Sequence, residues 1–147
     1  MKLFRKTALL ATATLAFATA QTGAALAIPN PILHYAGKVN YVAGGQNWTR
    51  YQIAVLNRAQ FPNALFAPAP KLPPCGLNKN SARTWVDIFN VVGHARLYGF
   101  CALHSNADLG SLWFAAPQGQ PHATHVYVVM TDRATHLHYQ SAPITIP

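Results

Sequence analysis

From Gly37 onward the chain is a series of short stretches of alternating character, broken repeatedly by Gly, Pro, Asn and Asp, with no sustained helical period among them. A chain patterned this way cannot bury a helical stripe; it buries one face of each strand, so the fold is expected to be all-β. Trp48 to Asn57 is the cleanest case: Tyr51, Ile53 and Val55 share one face, and Arg50, Gln52 and Ala54 the other. Further strands are expected over Gly37–Val42, Thr84–Phe89, Arg96–Leu103, Leu112–Ala115, Val126–Thr131 and Thr135–Ile146. Gly44-Gly45 reads as a hairpin turn between the first two, and a turn near Gly93 makes the third and fourth a hairpin.

Between Arg58 and Asn80 the prolines at 62, 68, 70, 73 and 74 remove the amide donors that a ladder needs. This segment is expected to be a long crossover between two sheets, held by Phe61, Leu65 and Phe66 in the core and by Cys75. Ser105–Ser111 is polar and reads as one helical turn capped by Ser105 or Asn106. Seven short strands with a long central crossover fit a two-sheet Greek-key sandwich.

Leu112-Trp113-Phe114 through Pro117 and Gly119, followed by Val126-Tyr127-Val128-Val129-Met130, resembles the late strand, turn and following strand of the fibronectin type III and immunoglobulin-like group. The resemblance implies the sandwich architecture. It carries over no catalytic or binding residue, because these folds host many functions. Cys75 falls in the proline-rich crossover, so the inter-sheet disulfide of immunoglobulin domains is not reproduced.

Residues 1–27 read as a secretory signal peptide: Lys2, Arg5 and Lys6, then an apolar core from Leu9 to Ala18, then small residues ending Ala25-Leu26-Ala27. The apolar run is too short to anchor a mature chain in a bilayer. Cleavage after Ala27 leaves a domain of about 120 residues over 28–147, a size that fits a single core; earlier sites after Ala20 or Ala25 shift the boundary slightly. The expected location is secreted or periplasmic, without stable membrane insertion.

An oxidising compartment permits a disulfide, and Cys75 and Cys101 are the only two cysteines. Closing their loop of roughly 27 residues is worth about 3.5 kcal/mol by the chain-entropy relation. Beyond the leader, eight of the 11 Lys and Arg residues face three aspartates, a net charge near +5. These cations are scattered singly, whereas a nucleic-acid binder clusters them.

Catalytic chemistry has little to draw on. Paired-carboxylate catalysis needs two neighbouring acids, and the chain has Asp87, Asp108 and Asp132 and no glutamate. Ser105 or Ser111 with His104 and Asp108 would make a nucleophilic set, but no GxSxG elbow surrounds either serine, and such a loop ordinarily uses these residues for caps. No catalytic residue is assigned.

All seven histidines lie beyond the leader. His136 and His138, two apart on an expected strand, would share an outer face while Leu137 and Tyr139 point inward. Two imidazoles on one face suit Cu or Zn. His125, before the adjoining strand, is a possible third ligand, although a hairpin turning at Asp132–Ala134 places it farther away.

The aromatics Trp48, Trp85, Trp113, Tyr98, Phe100 and Tyr139 could instead offer a stacking surface to a sugar or peptide. Alternation leaves Trp85 open: if Val86 and Ile88 line the core, Trp85 faces out. Trp85 and Tyr98 are the binding-surface candidates. The reading is an exported, non-catalytic β-sandwich module that meets a protein or glycan at the cell exterior, without nucleic acid. The alternative is a small secreted Cu- or Zn-binding protein.

Overall fold

The computed structural model describes residues 27–77 and 81–147; nearly all of the expected leader, and Lys79 in the crossover, lie outside them. Two antiparallel sheets pack face to face. The first has the order β1 (Leu33–Ala43), β2 (Gln46–Val55), β5 (Leu112–Pro117). In the second, β4 (Arg96–Phe100), β3 (Thr84–Asn90), β6 (His125–Asp132) and β7 (Leu137–Gln140) lie side by side, and β8 (Ile144–Thr145) pairs with the start of β6. Hairpins join β1 to β2, β3 to β4 and β6 to β7. The connections β2–β3, β4–β5 and β5–β6 pass between sheets, as the all-β sandwich reading requires.

Local chemistry explains the elements. Ala43 pairs with Gln46 across Gly44-Gly45, and both glycines have positive φ (58° and 74°). That is the backbone of a two-residue hairpin whose twist matches its strands, and glycine enters it without Cβ strain. The alternation read in β2 is reproduced: Tyr51, Ile53 and Val55 are buried while Arg50, Gln52 and Ala54 are less so. They meet Val86 and Ile88 of β3, Leu112 and Phe114 of β5, and Val126, Val128 and Met130 of β6 in one core.

The crossover takes the form of two 3-10 turns, Arg58–Gln60 and Asn63–Phe66. Phe61, Leu65 and Phe66 are buried as expected, and an isolated bridge pairs Pro68 with Ala82. Cys75 and Cys101 form the expected disulfide, which ties the crossover to the end of β4.

The last expected strand is corrected. It breaks at 141–143, where Pro143 lacks a ladder donor, into β7 and β8. At its other end the strand starts only at Leu137: His136 lies in the β6–β7 turn, with φ 62° and its amide donating to the Asp132 carbonyl at 2.7 Å. Leu137 pairs with Asp132 at the end of the sandwich, beyond the core, and is 54% exposed rather than inward. The fourth strand also stops earlier than expected, at Phe100.

That β6–β7 turn is organised by Asp132, which is 1% exposed. Arg83 donates to both carboxylate oxygens, Nε to Oδ1 at 2.8 Å and Nη2 to Oδ2 at 2.6 Å, while the Thr135 hydroxyl and the Ala134 amide donate at 2.7 and 3.0 Å. The Arg83 hydrogen bonds, reinforced by Thr135 and Ala134, outweigh burial and hold the carboxyl down to about 2.

Candidate functional site

The outer face of the three-stranded sheet carries a row of large side chains. Tyr41 of β1 lies opposite Trp48 of β2, and Trp113 and Ala115 of β5 lie opposite Gln52 and Arg50. Trp48 and Arg50 share a face because they are two residues apart on β2, the face opposite to Tyr51 and Ile53. Since β1 and β5 flank β2, the Arg50 guanidinium reaches rings on both sides: its carbon is 4.2 Å from the centre of Trp113 and 5.1 Å from that of Tyr41.

The second sheet completes the arrangement. Tyr98 and Phe100 lie opposite Ile88 and Val86, so by register they belong to the inner face of β4. Yet β4 is an edge strand, and the facing sheet is narrower, with only three strands. The two rings therefore reach past the core to the margin of β5. Tyr98 packs on Trp113 at 4.1 Å with a 34° tilt, and Phe100 meets both rings edge-on at 5.0 and 6.0 Å. Tyr98, Trp113, Arg50 and Tyr41 thus form one continuous stack that spans the seam between the sheets.

Beside this stack is a groove of about 560 Å³, lined by Tyr41, Trp48, Tyr98 and Trp113 with the small Ala115 and the glycine turn of the β1–β2 hairpin. Its size is that of a small-ligand site. Tyr98, singled out from the sequence, is 38% exposed on its wall. Sequence reasoning missed Tyr41 and Arg50. The available signal was the spacing of Trp48 and Arg50, which puts a cation beside an aromatic on one strand face.

Trp85 is elsewhere, on the outer face of the second sheet, because Val86 and Ile88 fill the core. Arg133 covers it, with the guanidinium carbon 4.1 Å from the ring centre. The smaller hollow there, about 330 Å³, includes Leu72, Pro73, Thr131 and His136. Arg133 donates to the Ser81 hydroxyl at 3.0 Å, to the Ala82 carbonyl at 3.3 Å and to the Pro73 carbonyl, so it fastens the crossover onto the sheet.

The histidines are dispersed. His138 stands opposite Thr131, whose hydroxyl is 3.1 Å from its Nδ1. His125 begins β6 opposite Thr145, six positions from Thr131, which is about 20 Å along an extended strand. Among the described residues no three His, Cys, Asp or Glu side chains gather in a metal-holding group. His94 bonds the Tyr127 hydroxyl at 3.0 Å, and His122 stacks on Tyr51 at 4.4 Å.

The Ser105–Asp108 loop is occupied as a cap. Asp108 Oδ2 accepts the amides of His104 and Ser105 at 2.7 and 3.1 Å, closing a capping box at the Asn106–Gly110 turn. Asp87 accepts from Arg96 Nε at 2.7 Å. With Asp132 clamped by Arg83, each of the chain's three carboxylates is engaged.

Among the described residues no helix is long and apolar enough to cross a membrane. Comparison of the chain with protein-family models, curated proteins and solved structures found no match.

Proposed function

We propose that the chain is an exported, non-catalytic binding module whose ligand site is the aromatic groove between β1, β2, β4 and β5. The observation that carries this reading is the groove's lining: four aromatic side chains gathered with the small Ala115, all outside the buried core. Large rings left in contact with solvent on one concavity are the usual mark of a recognition surface. The disulfide and the apolar leader support export to an oxidising compartment.

The strand order supports placing the domain with the fibronectin type III-like side of the sandwich resemblance. In the constant-type immunoglobulin arrangement the fourth strand lies beside the fifth; here β4 lies beside β3.

An array of glycans and peptides probed with the wild-type domain and with Ala115→Leu tests the assignment. Leucine fills the groove from the outer face of β5, at a position outside the buried core. The expected result is a ligand retained by wild type and lost by Ala115→Leu at an unchanged unfolding temperature. Ligands that ignore the substitution, or no ligand at all, would refute the groove as the site.

A further inference from the structure

We propose that the groove takes a proline-rich segment of a partner protein, in the polyproline II conformation. This rests on the groove being the ligand site and adds the chemistry of the occupant.

The first support is the polar character of the lining. Trp48 and Trp113 carry indole N–H groups that only donate, Gln46 carries an amide, and Tyr41 and Tyr98 carry hydroxyls. Every polar side chain there can donate a hydrogen bond, and among the described residues none that lines the groove is charged. The matching ligand is neutral and rich in acceptors. A run of prolines has that character, because each residue keeps its carbonyl and lacks an N–H. A polyproline II helix makes no internal hydrogen bonds, so its carbonyls are free to accept from the groove. A sugar or an extended strand donates as well as accepts, and asks for acceptors such as carboxylates. The chain's three carboxylates are engaged elsewhere: Asp87 by Arg96, Asp132 by Arg83, and Asp108 in its cap.

The second support is what the chain does with its own prolines. On the opposite sheet Arg133 stacks on Trp85, and Leu72 and Pro73 of the crossover line the same hollow. Arg133 donates to the Pro73 carbonyl there. One tryptophan–arginine stack of this molecule thus already receives a proline-rich segment. The groove repeats the stack, with Trp113 4.2 Å from the Arg50 guanidinium carbon, and adds Tyr41, Trp48 and Tyr98. Arg50 is not a lining residue, so contacts to a peptide come from the rings. Flat pyrrolidine rings pack on aromatic faces, and a stiff proline segment loses little freedom on docking, which is why aromatic-lined grooves recur as sites for it.

Isothermal titration calorimetry and tryptophan fluorescence with decaproline test the proposal. The comparison probes are cellohexaose, a neutral glucan, and an alternating Thr-Val peptide, which adds as a strand. The variants are Ala115→Leu, Trp48→Ala and, on the opposite stack, Arg133→Gln, each checked for folding by thermal unfolding. Decaproline is expected to bind the wild-type domain one to one and to perturb its tryptophan emission. Trp48→Ala should weaken binding about tenfold or more, as loss of an aromatic anchor does. Ala115→Leu should abolish it, and Arg133→Gln should leave it unchanged.

No binding of decaproline would overturn the proposal. Binding of cellohexaose or the Thr-Val peptide in its place, abolished by Ala115→Leu, would overturn the proline-rich occupant and leave the groove as the site. Decaproline binding that ignores Ala115→Leu would overturn both, and its loss in Arg133→Gln would place the peptide at the Trp85 hollow instead.

Discussion

The molecule contains the same tryptophan–arginine stack twice, on the outer faces of opposite sheets, with different consequences. Arg133 lies 4.1 Å above Trp85, and Arg50 lies 4.2 Å from Trp113. The Arg133 donors are spent on Ser81, Ala82 and Pro73, so the cation closes the proline-rich crossover against the sheet. Arg50 has rings on both sides and no hydrogen bond to its buried Nε among the described residues. One stacked arginine is fixed by hydroxyl and carbonyl acceptors at its edge, whereas the other is held between two rings. The contrast favours the groove over the Trp85 surface, although alternation alone left Trp85 open as a binding candidate.

The disulfide is expected to give the largest effect, on the Trp85 side. Replacing both Cys75 and Cys101 with serine should cost about 3.5 kcal/mol in denaturant unfolding, because the bond closes a loop between residues 26 apart in sequence. Groove ligands should still bind whatever fraction stays folded.

Asp132 comes next. Its carboxyl is held down to about 2, below its unfolded value. The stability it contributes is complete above about pH 4 and is lost as pH falls towards 2, about 2 kcal/mol in all. Urea unfolding between pH 5 and 2 should show that loss in wild type, and Asp132→Asn should flatten the dependence over the same window.

A smaller loss, about 1–2 kcal/mol, is expected for Arg133→Gln from its hydrogen bonds to the crossover, with groove binding unchanged. Arg50→Gln should change stability least, by under about 1 kcal/mol for the lost cation–π contacts. Equal destabilisation by the two arginine variants would erase the distinction between the stacks. Thermal unfolding of both variants, side by side, measures it.

Much of the architecture was legible in the chain. Alternation in β2 marked its buried face, Gly44-Gly45 marked the tight hairpin, and the two cysteines marked their bond. Phe61, Leu65 and Phe66 marked the crossover's contribution to the core. Where expectation failed, a local feature gave way to three-dimensional context. The last strand was read as continuous from Thr135 through Pro143; it breaks at 141–143, and at its start the turn around Asp132 keeps His136 out of the strand and leaves Leu137 beyond the core.

The sequence by itself determined which residues could share a face of one strand, because the two-residue period of extended backbone is a local property. Only the tertiary structure decided which faces met. The groove draws Tyr41 and Trp48 from one hairpin, Tyr98 from an edge strand of the other sheet, and Trp113 from a third segment. No local period records that β4 overhangs a narrower sheet, or that the chain's three carboxylates are spent before any reaches Arg50.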